Sequence, residues 1–190
     1  MEPSAREKLL TATVDHVAET GLRDFSLRSA AAAIGTSHRM LIHHFGSKAG
    51  LESAIVERAT ELLTIPLVDP ESDHPQQSPR DQVLRVWEAL SDPGLDPLVR
   101  LYFDLSNRAT AGDPIAAKAV ETIRDHWTQT ASTISADLGN LEEHLLGAAV
   151  TSTFLKGLLL DRLTGANLVE TERILHRFIE LVESYNPTGA

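Results

Sequence analysis

The sequence predicts an all-α protein of about nine helices, in which a three-helix head at the N-terminus precedes a larger helical body. Apolar residues recur every three to four positions through most segments, and no segment keeps the two-residue alternation of a half-buried strand. Serine or aspartate followed by proline marks the start of three predicted helices after residue 77, at Ser78-Pro79, Asp96-Pro97 and Asp113-Pro114. The absence of cysteine excludes disulfides and thiolate metal sites.

Residues 26–48 predict two short helices joined by a tight turn. The first helix, Leu27–Ile34, follows the N-cap Ser26 and is built on a run of alanines. Gly35 lies where the chain turns sharply, because glycine adopts positive φ at little cost. The second helix is His38–Phe45, and a helix, a tight turn and a second helix form the layout that places the second helix in the DNA major groove.

A helix is predicted on each side of this pair. Arg6–Thr20 precedes it with apolar residues at helical spacing, and Gly21 ends that helix. The helix from Lys48 to about Thr64 follows, and Pro66 stops it. Residues 68–79 hold three prolines without periodicity, which predicts a loop.

Five more helices are predicted in the body, and residues 91–97 are predicted to form a turn between the first two of them. The last two begin with asparagine caps followed three residues later by glutamate, as in a capping box. The five are Pro79 to about Leu90, Asp96 to about Ala109, Pro114 to about Leu138, Asn140 to about Leu163 and Asn167 to about Tyr185.

The net charge of −10 is unevenly distributed along the chain. Residues 1–60 contain seven Lys or Arg and seven Asp or Glu, whereas residues 61–190 contain ten and twenty. Between Phe25 and Lys48 there are three basic residues, three histidines and no acidic residue. An acidic body with a neutral-to-basic tip favours DNA contact through the tip, and argues against a membrane-surface protein.

The second helix of the pair carries polar side chains that we expect to reach DNA, and its flanks carry more. For base edges we assign Arg39, His38 and His43, with Thr36 and Ser37 near them. For phosphates we assign mainly Ser26, Arg28, His44 and Lys48. No metal site is expected at the two adjacent histidines, since neighbouring helical positions point about 100° apart and no third ligand has suitable spacing.

Taken together, Gly21, the helix start Ser26-Leu27-Arg28, Gly35 with Ser37 and Leu41, and the run His44-Phe45-Gly46-Ser47-Lys48 resemble the DNA-binding end of the tetracycline-repressor-like (TetR) regulators. The resemblance implies a repressor that binds a palindromic operator as a dimer and is released by a small-molecule ligand. It also implies a DNA-binding domain in residues 1–47 and a ligand-binding and dimerisation domain in residues 48–190. Binding of the ligand is expected to move the fourth helix and separate the two reading heads.

The chain departs from the TetR pattern at several positions. The family usually has tyrosine where this chain has Ile42, so a hydroxyl expected to reach a phosphate is missing. Arg39 stands where a small residue is common, and Thr36 where valine is common. Ala30 replaces a larger apolar residue while Ile34 is bulkier than usual. These changes bear on the operator sequence more than on DNA binding itself.

The last two helices predict a symmetric dimer. Each is apolar over more than one stripe, so a second face has to be buried, and small residues such as Gly157 permit close helix approach. The alternative is a wider core within one chain. The residues assigned to the interface are Leu158, Ile174, Phe178 and Leu181.

A ligand chamber is predicted in the middle of the body, where most of the aromatic residues lie. Its assigned residues are Trp87, Tyr102, Phe103, Asn107, His126 and Trp127, with Asp104 and Thr130 near them in sequence. The acidic surroundings favour an apolar ligand that is neutral or cationic. The alternative is that these aromatic side chains fill an ordinary core.

Two other functions compete with the ligand-controlled repressor. A DNA-binding protein of the same fold without small-molecule control, such as a nucleoid-associated or division-site factor, would share every feature above. An enzyme is not expected, because the candidate acids Asp104 and His126 have no nucleophile–base pair, phosphate-binding loop or metal spacing beside them. No cofactor is expected, and the lack of a long apolar run or signal peptide predicts a cytoplasmic location without membrane contact.

Overall fold

The computed structural model describes residues 3–22, 25–64, 78–134 and 141–184, with the side chains of 79, 130–134 and 141–145 outside the description. These ranges contain nine α-helices, a 3₁₀ turn at Pro93–Leu95 and no strand, which confirms the predicted all-α class. The helices are α1 Ala5–Thr20, α2 Leu27–Ala33, α3 His38–Phe45, α4 Lys48–Thr64, α5 Pro79–Leu90, α6 Asp96–Thr110, α7 Pro114–Ile134, α8 Leu141–Leu163 and α9 Leu168–Ser184.

The helix ends in the head follow the local signals closely. The Ser26 hydroxyl accepts a hydrogen bond from the Ser29 N–H at 3.1 Å, and Ser37 accepts from the Met40 N–H at 3.1 Å. Gly35 has φ of +69°, the conformation that favours glycine. The predicted stop at Pro66, nearly all of the loop 68–79, the end of the seventh helix near Leu138, the Asn140 cap and the last helical residue Tyr185 lie outside the described residues.

The same aspartate–proline signal has two different outcomes. Asp113 is a true N-cap of α7, since its Oδ1 accepts from the N–H groups of Ile115 and Ala116 at 3.0 and 3.2 Å. Asp96 is instead the first residue of α6, and the preceding Leu95 makes no side-chain cap bond. Residues 91–97 were predicted to be a turn, but Pro93–Leu95 is a 3₁₀ turn that leads into the helix, so no extended residue precedes α6.

The chain divides into two compact units, and the division falls inside α7. Unit 1 comprises Met1–Asp69 with Pro93–Trp127, and unit 2 comprises Pro70–Asp92 with Thr128–Ala190. Compactness therefore places α6 and the first part of α7 with the head. The predicted boundary between a DNA-binding domain that ends at residue 47 and the rest of the chain concerns function, so the division into compact units does not test it.

The core of unit 1 joins the head to α4, α6 and α7. Head residues in the core include Val14, Val17, Leu22, Phe25 and Leu41, and the same cluster contains Leu51 and Ile55 from α4, Leu101 and Leu105 from α6, and Ala116 and Ala119 from α7. Complete burial of a leucine side chain stabilises a fold by roughly 1.5–3 kcal/mol. The head thus completes its core with leucines more than fifty positions away in the chain.

The core of unit 2 contains side chains from α5, α8 and α9. The residues Trp87, Leu90, Leu155, Leu159, Leu175 and Ile179 are buried. Arg80 at the start of α5 reaches α9, where its guanidinium lies 3.2 Å from the Glu183 carboxylate. No described helix is both long enough and apolar enough to cross a membrane.

Candidate nucleic-acid interface

Helix α3 presents a polar face while one side chain anchors it to the head. Leu41 is fully buried, whereas His38, Arg39 and His43 are exposed. Ser37 caps the first turn of the helix, and Gly46, with φ of +78°, terminates it after Phe45. The exposed face therefore carries two ring donors or acceptors and one guanidinium, groups suited to the edges of bases.

Ile42, which stands where the family usually has tyrosine, contributes to the core. Its side chain is half-buried and packs against the core of unit 1. Positions 41 and 42 are about 100° apart on the helix, so an apolar side chain next to the anchor still reaches the head. Isoleucine in place of the family's usual tyrosine thus adds an apolar side chain to the core of unit 1.

The residues assigned to phosphates differ in exposure and in the contacts that their side chains already make. Arg28 is exposed, and so is Lys48, whose ammonium lies 3.8 Å from the Glu52 carboxylate and 6.0 Å from the centre of the Phe25 ring. The Ser26 hydroxyl is engaged in capping, because it bonds the N–H of Ser29 and lies 2.9 Å from the hydroxyl of that residue. A phosphate at this point is therefore better served by the N–H groups at the start of α2 than by the Ser26 hydroxyl.

Two adjacent histidines of α3, His43 and His44, pack edge to face. The rings of His43 and His44 have centroids 5.1 Å apart with an interplanar angle of 73°. His44 is half-buried, and Thr36 is half-buried in the turn. The described ranges contain no group of three or more His, Asp or Glu side chains arranged to hold a metal ion.

Two residues near this face were missed by the sequence interpretation. The guanidinium of Arg6 lies 5.0 Å from the centre of the Phe45 ring, so α1 adds a cation at the end of α3. Met40 is 43% exposed on the same helix, where an apolar group could meet a thymine methyl. Arg6 gave no local signal because it is far from Phe45 in the chain. Met40 was passed over because it is apolar.

The aromatic residues assigned to a ligand lie partly together in unit 1. Tyr102 stacks on Trp127 with ring centroids 6.2 Å apart and an interplanar angle of 13°, and Phe103 meets Tyr102 at 5.2 Å, edge to face. Burial raises the pKa of the Tyr102 hydroxyl. Nε2 of His126 is buried and has no hydrogen-bond partner among the described residues. Asn107 is exposed.

Trp87 and Asp104 were also associated with the ligand region. Trp87 belongs to unit 2, where it is buried. Asp104, which the sequence placed near the aromatic residues and among candidate acids, contacts the head instead, since its Oδ2 accepts from the Leu22 N–H at 3.4 Å. The side chain of Thr130 is outside the described residues.

An open cleft of about 490 Å³ lies between α4 and α7 in unit 1. None of the six residues assigned to the ligand lines it. The floor includes the buried side chains Val56 and Ala119, while Glu57, Glu61 and Lys118 supply charge. The cleft is a concave surface that the sequence interpretation did not foresee, because its walls come from helices fifty residues apart in the chain.

Helices α8 and α9 share an exposed apolar surface, which we call the α8–α9 face. Ile174 and Leu181 are 44% and 53% exposed, and Phe178 between them is half-buried and stacks on Phe154 with centroids 3.9 Å apart. Leu158 is only 4% exposed, so its own chain already covers it. On α8 the face continues through Leu146, Val150 and Leu160, which the sequence interpretation did not assign to the interface, and through Gly157, the small residue expected to permit close helix approach.

Comparison with protein families gives a match in the N-terminal part of the chain. Residues 9–55 match the model of the bacterial regulatory proteins of the tetR family. The match contains α2, α3 and all nine residues assigned to DNA. A search of curated protein sequences gives no match.

Solved structures resemble the chain over most of its length. A TetR transcriptional regulator from Legionella pneumophila has a TM-score of 0.75 and 17% identity, covering 95% of this chain and 98% of that one. A transcriptional regulator from Rhodococcus sp. has a TM-score of 0.72 and 22% identity, covering 85% of each chain. A protein from Saccharomonospora viridis, described as a transcriptional regulator and solved with choline, has a TM-score of 0.76 and 22% identity, covering 93% and 95%. At these identities the likeness establishes the fold alone.

Proposed function

We infer that this chain is a member of the tetR family of bacterial regulatory proteins, binds DNA and regulates transcription. The observation that carries the inference is the sidedness of α3 within the matched region. Its anchor Leu41 is buried, while Arg39, His38 and His43 face outward without an acidic neighbour on the helix. A short helix with this pattern presents base-reading groups to a major groove.

The charge distribution supports contact with DNA through the head alone. Residues 1–60 are formally neutral, and residues 61–190 carry the entire −10. Phosphates are therefore repelled from the body and tolerated at the head, where Arg28 lies in the first turn of α2 and Lys48 begins α4 shortly after α3. The placement of Arg6 beside Phe45 adds to this local balance.

The proposal includes a homodimer formed through the α8–α9 face. Leucine, isoleucine and valine side chains that are about half exposed lie together on this face, which is more apolar than a surface of isolated side chains. A Cβ placed at Gly157 would meet nothing within 4 Å, which leaves room for a partner helix. Two heads related by a two-fold axis would read the two halves of a palindrome, and such a dimer in the cytoplasm would repress by covering a promoter.

Small-molecule control is the second part of the proposal. The rings of Tyr102, Trp127 and Phe103 form an apolar cluster, and Nε2 of His126, which has no hydrogen-bond partner in the described part of the chain, offers one polar contact. Aromatic faces also attract cations. A neutral or cationic apolar compound fits this chemistry, in line with the choline found in the Saccharomonospora protein.

Mapping of binding sites across the genome tests the DNA-binding proposal. We expect one or a few promoter sites, each with an inverted repeat that binds the purified protein more weakly as salt increases. Many scattered sites without a shared repeat would favour the nucleoid-associated or division-site alternative. Absence of DNA binding at low salt would contradict both, and a screen for turnover of small molecules would then be the next measurement.

Titration of small molecules against tryptophan fluorescence tests ligand control. An apolar cation is expected to quench emission and release operator DNA over the same concentration range, because both follow one binding event. The variants Trp127→Phe and Trp87→Phe assign the signal, since the two tryptophans lie in different units. Quenching that survives in Trp127→Phe and disappears in Trp87→Phe would contradict a site at the Tyr102–Trp127 stack.

A further inference from the structure

Helix α6 makes a hydrogen bond to the head through one side chain. The Oδ2 atom of Asp104 accepts from the N–H of Leu22 at 3.4 Å, across 82 positions of sequence. Leu22 follows Gly21, where α1 ends with φ of +81°. The carboxylate therefore meets the turn that leads from α1 towards α2, the first helix of the reading pair.

The turn is shaped to admit this carboxylate. A Cβ added at Gly21 would lie 2.9 Å from Asp104 Oδ2, closer than carbon and oxygen normally approach without a shift. Glycine at position 21 thus permits both the positive φ and the close approach of the Asp104 side chain. Leu22 itself is buried in the core of unit 1, so its N–H lies in a partly water-excluded place.

Two leucines hold Asp104 in position. Leu101 and Leu105 lie three residues before and one residue after it, and both are buried in the same core as Leu22 and Phe25. A helix that inserts two leucines beside a charged hydrogen bond has one favoured placement against the head.

The same helix carries the aromatic cluster. Tyr102 and Phe103 directly precede Asp104, and Tyr102 stacks on Trp127 of α7. The rings of Tyr102 and Phe103 and the carboxylate of Asp104 therefore lie within one turn of the same helix. All three residues belong to unit 1.

We propose that Asp104 is the positioning residue through which α6 holds the α1–α2 turn, and thereby sets the orientation of α3 for DNA. The inference rests on the proposed DNA-binding function.

Three variants of the full chain test this proposal. Asp104→Ala removes the acceptor, and Asp104→Asn removes the charge but keeps an oxygen that accepts from Leu22. Asp125→Ala is the matched control, because it removes the same charge from an exposed position of α7 in unit 1. The two measurements are amide hydrogen exchange at Leu22 and the operator dissociation constant.

Loss of the acceptor is expected to speed exchange at Leu22 and to weaken operator binding, each by about tenfold. Asp104→Asn and Asp125→Ala are expected to stay within about twofold of the wild type in both measurements. A simple charge effect would instead make all three variants bind the polyanion more tightly and to the same extent.

Unchanged exchange at Leu22 in Asp104→Ala would overturn the hydrogen bond itself. Faster exchange with unchanged operator affinity would overturn its role in positioning the head, as would equal weakening by Asp104→Asn and Asp104→Ala. If the wild-type protein binds no DNA at all, the proposed function fails, and the exchange measurement alone then decides whether Asp104 holds the turn.

Discussion

Phe178→Glu is expected to convert the protein to monomers and to abolish operator binding. Phe178 lies in the centre of the α8–α9 face, stacked on Phe154 and flanked by Ile174 and Leu181. In a symmetric dimer each copy would bury one new carboxylate without a partner, at a cost of about 3–5 kcal/mol each. A monomer presents a single α3, so the affinity that comes from two linked half-sites is lost.

Light scattering on the purified variant gives its mass, and a binding assay with the inverted repeat gives its affinity. His176→Glu is the matched control, since it adds the same charge to an exposed position of α9 beside the guanidinium of Arg80. Leu158 is a poor test position because it is buried within its own chain, and a charge there would destabilise the fold first. A Phe178→Glu dimer with intact operator binding would rule out the α8–α9 face as the interface.

Arg39→Ala is expected to relax the preference for one base pair in each half-site. Arg39 is exposed on α3, and a bidentate arginine–guanine contact discriminates by about 1–3 kcal/mol against the wrong base. The measurement is a ranking of operator variants, each altered at one base pair, by the wild-type and variant proteins. An unchanged ranking would show that Arg39 does not read a base.

Lys48→Ala supplies the contrast to Arg39→Ala. If Lys48 meets only phosphates, its loss is expected to weaken binding to all operator variants about equally. The slope of log affinity against log salt concentration should fall by about one, since one fewer counterion is released. The Lys48 ammonium also approaches the Phe25 ring and Glu52, so the thermal midpoint of this variant should be recorded beside its affinity. Selective weakening of one operator variant would assign Lys48 a reading role that we do not expect.

The helices of the head were predictable because their signals are local. Ser26 and Ser37 cap the helices they precede, and Gly35 and Gly46 take the positive φ that their turns require. The aspartate–proline pairs were less reliable. Asp113 caps α7, whereas Asp96 was absorbed into α6 after a 3₁₀ turn that no local pattern marked.

The exposed face of α3 was predictable from the sequence, whereas the contacts at the edges of that face were not. Exposure of Arg39, His38 and His43 follows from helical spacing around Leu41, but the half-burial of Ile42 depends on how closely α3 packs on the head. Arg6 reaches Phe45 only because α1 folds back onto the end of α3. In the body, aromatic composition grouped Trp87 with Tyr102 and Trp127, and only the tertiary structure assigns Trp87 to unit 2 and the other two to unit 1.

By itself, the sequence determined the all-α class, the order of the helices and the sidedness of α3, because caps, glycine turns and helical periodicity act over four residues or fewer. Tertiary structure alone decided that Leu101 and Leu105 complete the core of the head, that Asp104 contacts Leu22, and that Leu158 is covered while Ile174 and Leu181 are not. These outcomes depend on which helix faces meet. Many pairings of apolar stripes have similar local energies, and only packing of the whole chain selects among them.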